Sequence, residues 1–303
     1  MSTAEKCEWA KRNGPAIGNT KKACKVIGLA MSTYYSDPQV PRLEKEEWEA
    51  DILGKIEQIR VEQPRLGYRP LLHHLKRQGI VIGERRLRNV LKKFDLGIKP
   101  RKKIVRTTDS NHSHKVFPNL LPEMTVSGVN QVWTADITYI RISNGFVYLA
   151  VILDFYSRKV IGWAISKNID RHLTINALNM AIDRRKPSSG VIHHSDRGVQ
   201  YLCGDYIEVL IENEFHISCS RKGNPYDNAW TESFMKTLKD NEVYMWDYQT
   251  YLDVVERVPY YIEEVYNKKR LHSSLDYFSP EEFEKKIEVE YQDEIPSRPK
   301  LRL

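Results

Sequence analysis

The sequence predicts an α/β domain on a mixed sheet, preceded by a basic, all-helical region, and three observations carry that expectation. Three strand-like runs follow one another between residues 130 and 165, and helix and strand then alternate to about residue 240. The first hundred residues instead space their apolar side chains at helical intervals. Charge divides along the same line: residues 1–125 hold 25 Lys/Arg against 14 Asp/Glu, and residues 126–303 hold 22 against 26. A basic front on a mildly acidic back suits a front that binds a polyanion, nucleic acid above all; a solvated basic surface is the alternative.

At 303 residues, 41% hydrophobic and 29% charged, the chain has a globular composition and room for two or more domains. Its first residues lack the apolar stretch of a signal peptide, and no run approaches membrane-spanning length. Cys7, Cys24, Cys203 and Cys219 are scattered, which argues against a zinc ribbon or disulfide framework and for a reducing compartment.

Residues 19–35 read as helix, glycine turn at Gly28, short helix, an outline shared by helix-turn-helix units and ordinary helical hairpins. With the preceding residues they make a short helical segment, 1–40. A basic three-helix domain follows at 44–106. Its first helix, 44–63, stripes Trp48, Ile52, Ile56 and Ile59; its second, 68–78, stripes Leu71, Leu72 and Leu75. The third, 83–94, turns Leu87, Val90, Leu91 and Phe94 inward and Arg85, Arg86, Arg88, Lys92 and Lys93 outward. Such a basic outer face suits a helix laid in a DNA groove. Arg101, Lys102 and Lys103 continue the charge without periodicity, as a phosphate-tracking segment or a solvated tether. Residues 107–125 are a polar linker whose His112 and His114 lack further ligands at metal-binding spacing.

The catalytic-core candidate spans 126–240. In its first strand Trp133, Ala135, Ile137 and Tyr139 alternate with Val132, Thr134, Asp136 and Thr138. Ser143-Asn-Gly145 signals a hairpin into the apolar run 146–154, and a third strand occupies 160–165. A helix at 171–185, a strand at 191–195, a helix at 199–213, a strand at 216–220 and a helix at 225–240 complete it. Residues 241–303 form a helical extension, with Pro259 expected to kink it and Ser279-Pro-Glu-Glu282 reading as a capping box.

Three acids stand out by position. Asp136 lies mid-strand, where a carboxylate loses hydration and needs a partner. Asp196 ends the fourth strand, where α/β folds place their sites, and Glu232 lies inside the last helix of the core. Asn228, Glu232, Lys236 and Lys239 share one face of that helix and would meet DNA; an ordinary surface Glu–Lys pair is the competing reading. Three converging acids would hold two hard divalent ions about 3.5–4 Å apart for an in-line displacement at phosphorus, Mg²⁺ first and Mn²⁺ as a substitute. His193 and His194 fall on opposite faces and read as packed, hydrogen-bonded residues; Asp154 reads as structural, held through Arg158; Arg270 and His272 are weaker DNA candidates.

Fifty-nine residues separate Asp136 from Asp196, and 35 separate Asp196 from Glu232. That order resembles the Asp-Asp-35-Glu core of retroviral integrases and related transposases. Trp133-Thr-Ala-Asp-Ile-Thr-Tyr139, His194-Ser-Asp-Arg-Gly-Val-Gln-Tyr201, Gly223-Asn-Pro-Tyr-Asp-Asn-Ala229 with Glu232-Ser-Phe, and Tyr266-Asn-Lys-Lys-Arg-Leu-His272 resemble the second-reading-frame transposases of two-frame bacterial insertion sequences. The resemblance implies a ribonuclease H-like integrase catalytic core after a helix-turn-helix-type DNA-binding region. It implies a polynucleotidyl transferase with Asp136, Asp196 and Glu232 as catalytic and metal-binding residues. It further implies double-stranded element ends and target DNA as partners, a homo-oligomer bridging two ends, an upstream-frame partner or fusion, and a bacterial cytoplasmic setting, at the nucleoid when bound to DNA. Cleavage would free a 3′-hydroxyl that attacks a second phosphodiester, with the ends joined into a circle before insertion. A ribonuclease H-like nuclease or resolvase would use the same acids to cut without joining, and a DNA-binding regulator with an inert core would need none of them.

Overall fold

A computed structural model describes residues 1–13, 19–35, 42–98, 116–221 and 228–294. Two compact units divide the chain, residues 1–57 and 58–303.

The first unit contains α1 (Thr3–Asn13), α2 (Thr20–Val26), α3 (Met31–Tyr35) and most of α4 (Arg42–Glu62). Asn19 caps α2 by accepting from Lys21 N, and Gly28 turns the chain with φ 62°. Cys7, Ala10, Ala23, Cys24 and Leu29 make a small core.

The second unit opens with the end of α4, then α5 (Tyr68–Arg77) and α6 (Glu84–Lys93). Leu71 and Leu75 of α5 are buried, as are Leu87, Val90 and Leu91 of α6. Phe94 departs from the predicted inward stripe and is 39% exposed. The helix ends at Lys93, and as the C-cap residue (φ −102°) Phe94 leaves the helical face it would have shared.

The sheet contains β1 (Val132–Ile142), β2 (Gly145–Asp154), β3 (Val160–Ser166), β4 (Ile192–Ser195) and β5 (His216–Cys219), in the order β3-β2-β1-β4-β5. The first three run antiparallel through the predicted hairpin, and β4 and β5 join parallel to β1. This mixed sheet, antiparallel on one side of β1 and parallel on the other, is the ribonuclease H-like arrangement. Helix α7 (Arg171–Arg185) lies close against β3 because Gly162 carries no Cβ: one there would sit 2.2 Å from Ala177 O.

The predicted helix at 199–213 is two, α8 (Val199–Leu202) and α9 (Gly204–Glu212), parted by an extended Cys203 (φ −71°, ψ 150°). The break has a packing reason. Tyr201 and Tyr206 would lie about 140° apart on a continuous helix, yet both are buried, with their rings 5.4 Å apart edge to face. Trp133, Ala135, Ile152, Ala177, Tyr206 and Leu210 fill the core on that side of the sheet.

The opposite face carries Ile140, Leu149, Val151 and Val160 against α10 (Ala229–Leu238) and the helices that follow. Of those, α11 (Tyr251–Tyr260) contributes Val254 and Val258 to this core; α12 (Asn267–Lys269) and α13 (Pro280–Glu294) come after it in sequence. Pro259 neither breaks nor restarts the chain; a π-helical turn, Tyr261–Tyr266, follows it directly. The wider turn accommodates the missing N–H and the ring's clash with the preceding carbonyl. Ser279 and Glu282 make the predicted capping box, each side chain accepting from the other's backbone N–H, and Thr250 and Asp253 make another on α11. Among the described residues no helix is long and apolar enough to cross a membrane.

Candidate active site

The site forms where β1 and β4 run side by side. Ala135 stands opposite Ser195 in the last pair of the ladder, so Asp136 is the next residue of β1 and Asp196 the first residue past the end of β4, and paired strands lie about 4.8 Å apart. Asp136 shares its face of β1 with Thr134, the face that α10 crosses. Two bonds fasten the helix there: Thr231 Oγ1 donates to Thr134 Oγ1 (2.8 Å), and Asn228 Nδ2 donates to Ala135 O (3.4 Å). Glu232 follows Thr231 in the first turn of α10, on an exposed part of the helix.

Asp136 is partly buried, and its carboxyl is pushed up to about 8. Lost hydration is the largest cause and the charge of Asp196 the next; Glu232 adds to both, while the Ile137 N–H and the Lys239 ammonium oppose them. That N–H donates to Asp136 Oδ1 at 2.8 Å. Asp196 is held by a local turn in which its Oδ1 accepts from Gly198 N at 2.8 Å. A Cβ on Gly198 would approach that oxygen to 2.9 Å, so any larger residue there must displace the Asp196 carboxylate. Arg197 Nε ties the same loop to Ser220 O at 2.9 Å.

Among the described residues, two buried polar atoms beside the acids have no hydrogen-bond partner, Asn228 Oδ1 and Tyr201 Oη. Tyr201 lies near enough to both aspartates for their charges, after burial, to raise its pKa. Buried polar atoms are rarely left unpaired, and such orphans mark places meant for something else. Three carboxylates and an amide carbonyl are hard oxygen donors of the kind Mg²⁺ and Mn²⁺ prefer. The donor chemistry therefore fits a divalent ion. Among the described residues no group of three His, Cys, Asp or Glu side chains is arranged to hold a single ion.

The remaining candidates separate clearly. Lys236 is exposed; Lys239 is partly buried with Nζ 4.5 Å from the Tyr139 ring centre and turned toward Asp136. Asn228, expected to touch DNA, is 7% exposed and bonded into the protein. Arg85, Arg86, Arg88, Lys92 and Lys93 are all exposed along α6, with Arg88 3.8 Å from Glu84. Arg101, Lys102, Lys103, His112, His114, Asn224 and Pro225 lie outside the described residues.

His193 and His194 do occupy opposite faces: His193 Nε2 meets Tyr206 Oη at 2.8 Å, and His194 meets Ser218 and Ser220 at 2.8 and 3.0 Å. Burial lowers His193 to about 3, so it is neutral. Asp154 is structural, but its partners differ from the expected Arg158 side chain. Its carboxylate accepts from Asn130 N, Tyr156 N, Ser157 N and Ser157 Oγ, whereas the Arg158 guanidinium lies over the Trp230 ring. Tyr201 and Gly198 had been legible only as letters of the motif from His194 to Tyr201.

Integrase core domain models match residues 126–225 and 213–280. Fold and site thus define the class, an integrase-type DDE polynucleotidyl transferase. A 31 kDa protein of insertion element IS600 from Shigella sonnei is 37% identical over 87% of this chain and 97% of its own. The transposase InsF of insertion sequence IS3A from Escherichia coli K12 is 35% identical over 88% and 94%. The HTLV-2 integrase catalytic core in complex with magnesium aligns at 15% identity and a TM-score of 0.40, over 51% of this chain and 96% of that one. The chain belongs to the integrase-core transposase family of bacterial insertion sequences.

Proposed function

We propose that the chain is the DNA transposase of an insertion sequence, which frees a 3′-hydroxyl at an element end and joins it to a second phosphodiester. The observation that supports this reading is that Asp136 and Asp196 each follow the last pair of the parallel β1–β4 ladder, close enough for the charge of Asp196 to act on Asp136, beside a helix whose Glu232 acts on it too. Asp136, Asp196 and Glu232 are the residues that would hold Mg²⁺ or Mn²⁺, two ions per site. When bound, such ions neutralise charge on the attacking and leaving oxygens of an in-line displacement at phosphorus.

The chain's own residues set up that displacement. Asp136 must release its proton before it can ligate, and the neighbouring Lys239 ammonium favours that release. The Asp196–Gly198 turn fixes the second carboxylate, and Asn228 Oδ1 offers a further oxygen beside Ala135. Lys236 is exposed on the same helix to meet phosphates of the bound strand. The basic face of α6, followed in sequence by residues 99–106, binds element ends as the 44–106 region. Two copies bridge two ends, with an upstream-frame partner or fusion supplying further DNA contacts. The protein acts in the bacterial cytoplasm, at the nucleoid when DNA-bound.

Incubating the chain with labelled element ends, a target plasmid and Mg²⁺ tests the reading. Covalent joint molecules are expected. Cut ends without joints would make the chain a nuclease or resolvase, and no metal-dependent product at all would make it a regulator.

A further inference from the structure

The sequence sets a basic three-helix region apart from the core, yet α5 and α6 belong with the core to the second compact unit. A continuous set of bonds joins them to it. Just past α6, Leu96 O accepts from Arg60 Nη1 of α4 at 2.7 Å, and Arg60 Nη2 donates to Leu66 O at 3.3 Å. One guanidinium thus ties the end of α6 to the corner between α4 and α5, where Leu66 is fully buried. That corner in turn holds the helix of Glu232. Arg65 N donates to Asn241 Oδ1 at 3.0 Å, and Asn241 Nδ2 donates to Thr237 O of α10 at 3.0 Å. Asn241 is 3% exposed, so leaving either bond unmade would be costly. It sits in a π-helical turn, Lys239–Val243, that directly continues α10; such turns are rare and recur at functional sites.

A second fastening holds α5 to the end of the chain. Arg77 Nη1 donates to both carboxylate oxygens of Glu282 on α13, at 2.8 and 3.0 Å, and Arg77 Nη2 donates to Tyr277 O at 2.8 Å. His73 stacks on the Tyr277 ring, centres 3.5 Å apart and planes within 10°. Glu62, the last residue of α4, accepts from Tyr260 Oη of α11 at 3.0 Å and from Lys269 Nζ of α12 at 2.6 Å. Exposed ion pairs add little singly. These contacts, however, reach separate elements of the core, and a body held at separate points cannot pivot about any one of them. Were the region joined to the core by the chain alone, the distance from α6 to the acids would vary as it does across a flexible linker.

We infer that these contacts fix α6 relative to Glu232, so that the fold itself measures from the DNA held on α6 to the phosphodiester that is cut. Arg60, Arg65, Asn241, Arg77 and Glu282 are then positioning residues, acting through the elements they join. The inference rests on the transposase reading and on its assignment of element ends to α6. It adds what selects one bond within the bound end.

Two measurements on the full-length chain test it. Spin labels at Val81, between α5 and α6, and at Leu252 of α11, both exposed, report the separation without DNA or metal. The unsubstituted chain should give one narrow distance distribution. Arg77→Glu sets two acids face to face and should broaden it about twofold or more. Adding Glu282→Arg restores the pair with its signs reversed and should narrow the distribution again. Asn241→Ala should broaden it through the other fastening. Cleavage of a labelled element end in Mg²⁺ then reads the register. The unsubstituted chain should cut at one position; Arg77→Glu should spread its cuts over neighbouring phosphodiesters, with at least about threefold less at the original one. The reversed pair should gather them again. A broad distribution in the unsubstituted chain, or a narrow one in Arg77→Glu, would overturn the fastening. A broad distribution in Arg77→Glu with its cuts unmoved would overturn the measuring role, as would spread cuts that the reversed pair fails to gather. A chain with the expected distributions that cuts no DNA would fell the transposase reading itself.

Discussion

Replacing Asp136 by Asn should stabilise the metal-free protein, increasingly so as pH rises, and Mg²⁺ should erase the advantage. A carboxyl raised from 3.8 to about 8 keeps its proton in the folded state where the unfolded chain has lost it. The penalty is absent below the unfolded value of 3.8, grows as pH rises, and is complete once pH passes about 8. At about 1.4 kcal/mol per unit, the full interval caps the effect at about 5–6 kcal/mol. Relaxation of a partly exposed side chain and water entry reduce this to about 2–3 kcal/mol. Asn preserves the shape, cannot ionise, and also relieves Asp196 and Glu232 of a like charge. Urea unfolding of both proteins from pH 4.5 to 8, in chelator, should therefore show curves that diverge by about 2–3 kcal/mol at the upper end. Adding Mg²⁺ should raise the unsubstituted chain alone. Because Asp136 must shed a proton to ligate, its apparent Mg²⁺ affinity should rise up to about tenfold per pH unit below 8. Parallel pH profiles for the two proteins in chelator would refute the reasoning, since the carboxyl would then not be desolvated by its neighbours.

Other substitutions test separate parts of the account. Gly198→Ala forces a Cβ to within 2.9 Å of Asp196 Oδ1, and strand transfer should fall about 10²-fold through misplacement of that carboxylate, with stability nearly kept. Gly162→Ala meets Ala177 O at 2.2 Å and should cost about 1–3 kcal/mol in urea unfolding, because α7 must move off β3. Tyr201→Phe removes a buried hydroxyl with no hydrogen-bond partner among the described residues, so stability should hold or rise by about 1 kcal/mol. If that hydroxyl serves the reaction, kcat should fall; unchanged kcat would assign Tyr201 to packing alone.

Local signals account for what was legible beforehand. The alternation of β1, the apolar run of β2 and the Ser143-Asn-Gly145 turn each depend on neighbours in sequence, and each forms as its periodicity implies. Ser279 and Glu282 likewise sit three residues apart and find one another. What escaped was non-local. The division at Cys203 follows from two tyrosines that must reach one buried face, and the π turn after Pro259 depends on helices already packed on the sheet. Asp154 lies four residues before Arg158, which suggests a pair, but a tryptophan 72 positions further on captures the guanidinium. Spacing in sequence singled out the three acids, whereas only the β1–β4 register brings the end of β4, with Asp196 just past it, level with the stretch of β1 that leads into Asp136.

The most direct test of the central claim is strand transfer by three single variants, Asp136→Asn, Asp196→Asn and Glu232→Gln, with binding of element ends followed in parallel. The account predicts that each binds ends as the unsubstituted chain does and loses joining in Mg²⁺ by about 10³-fold or more. Joining retained by any one of the three would remove that residue from the catalytic set; retention by Asp136→Asn would contradict the account at its centre.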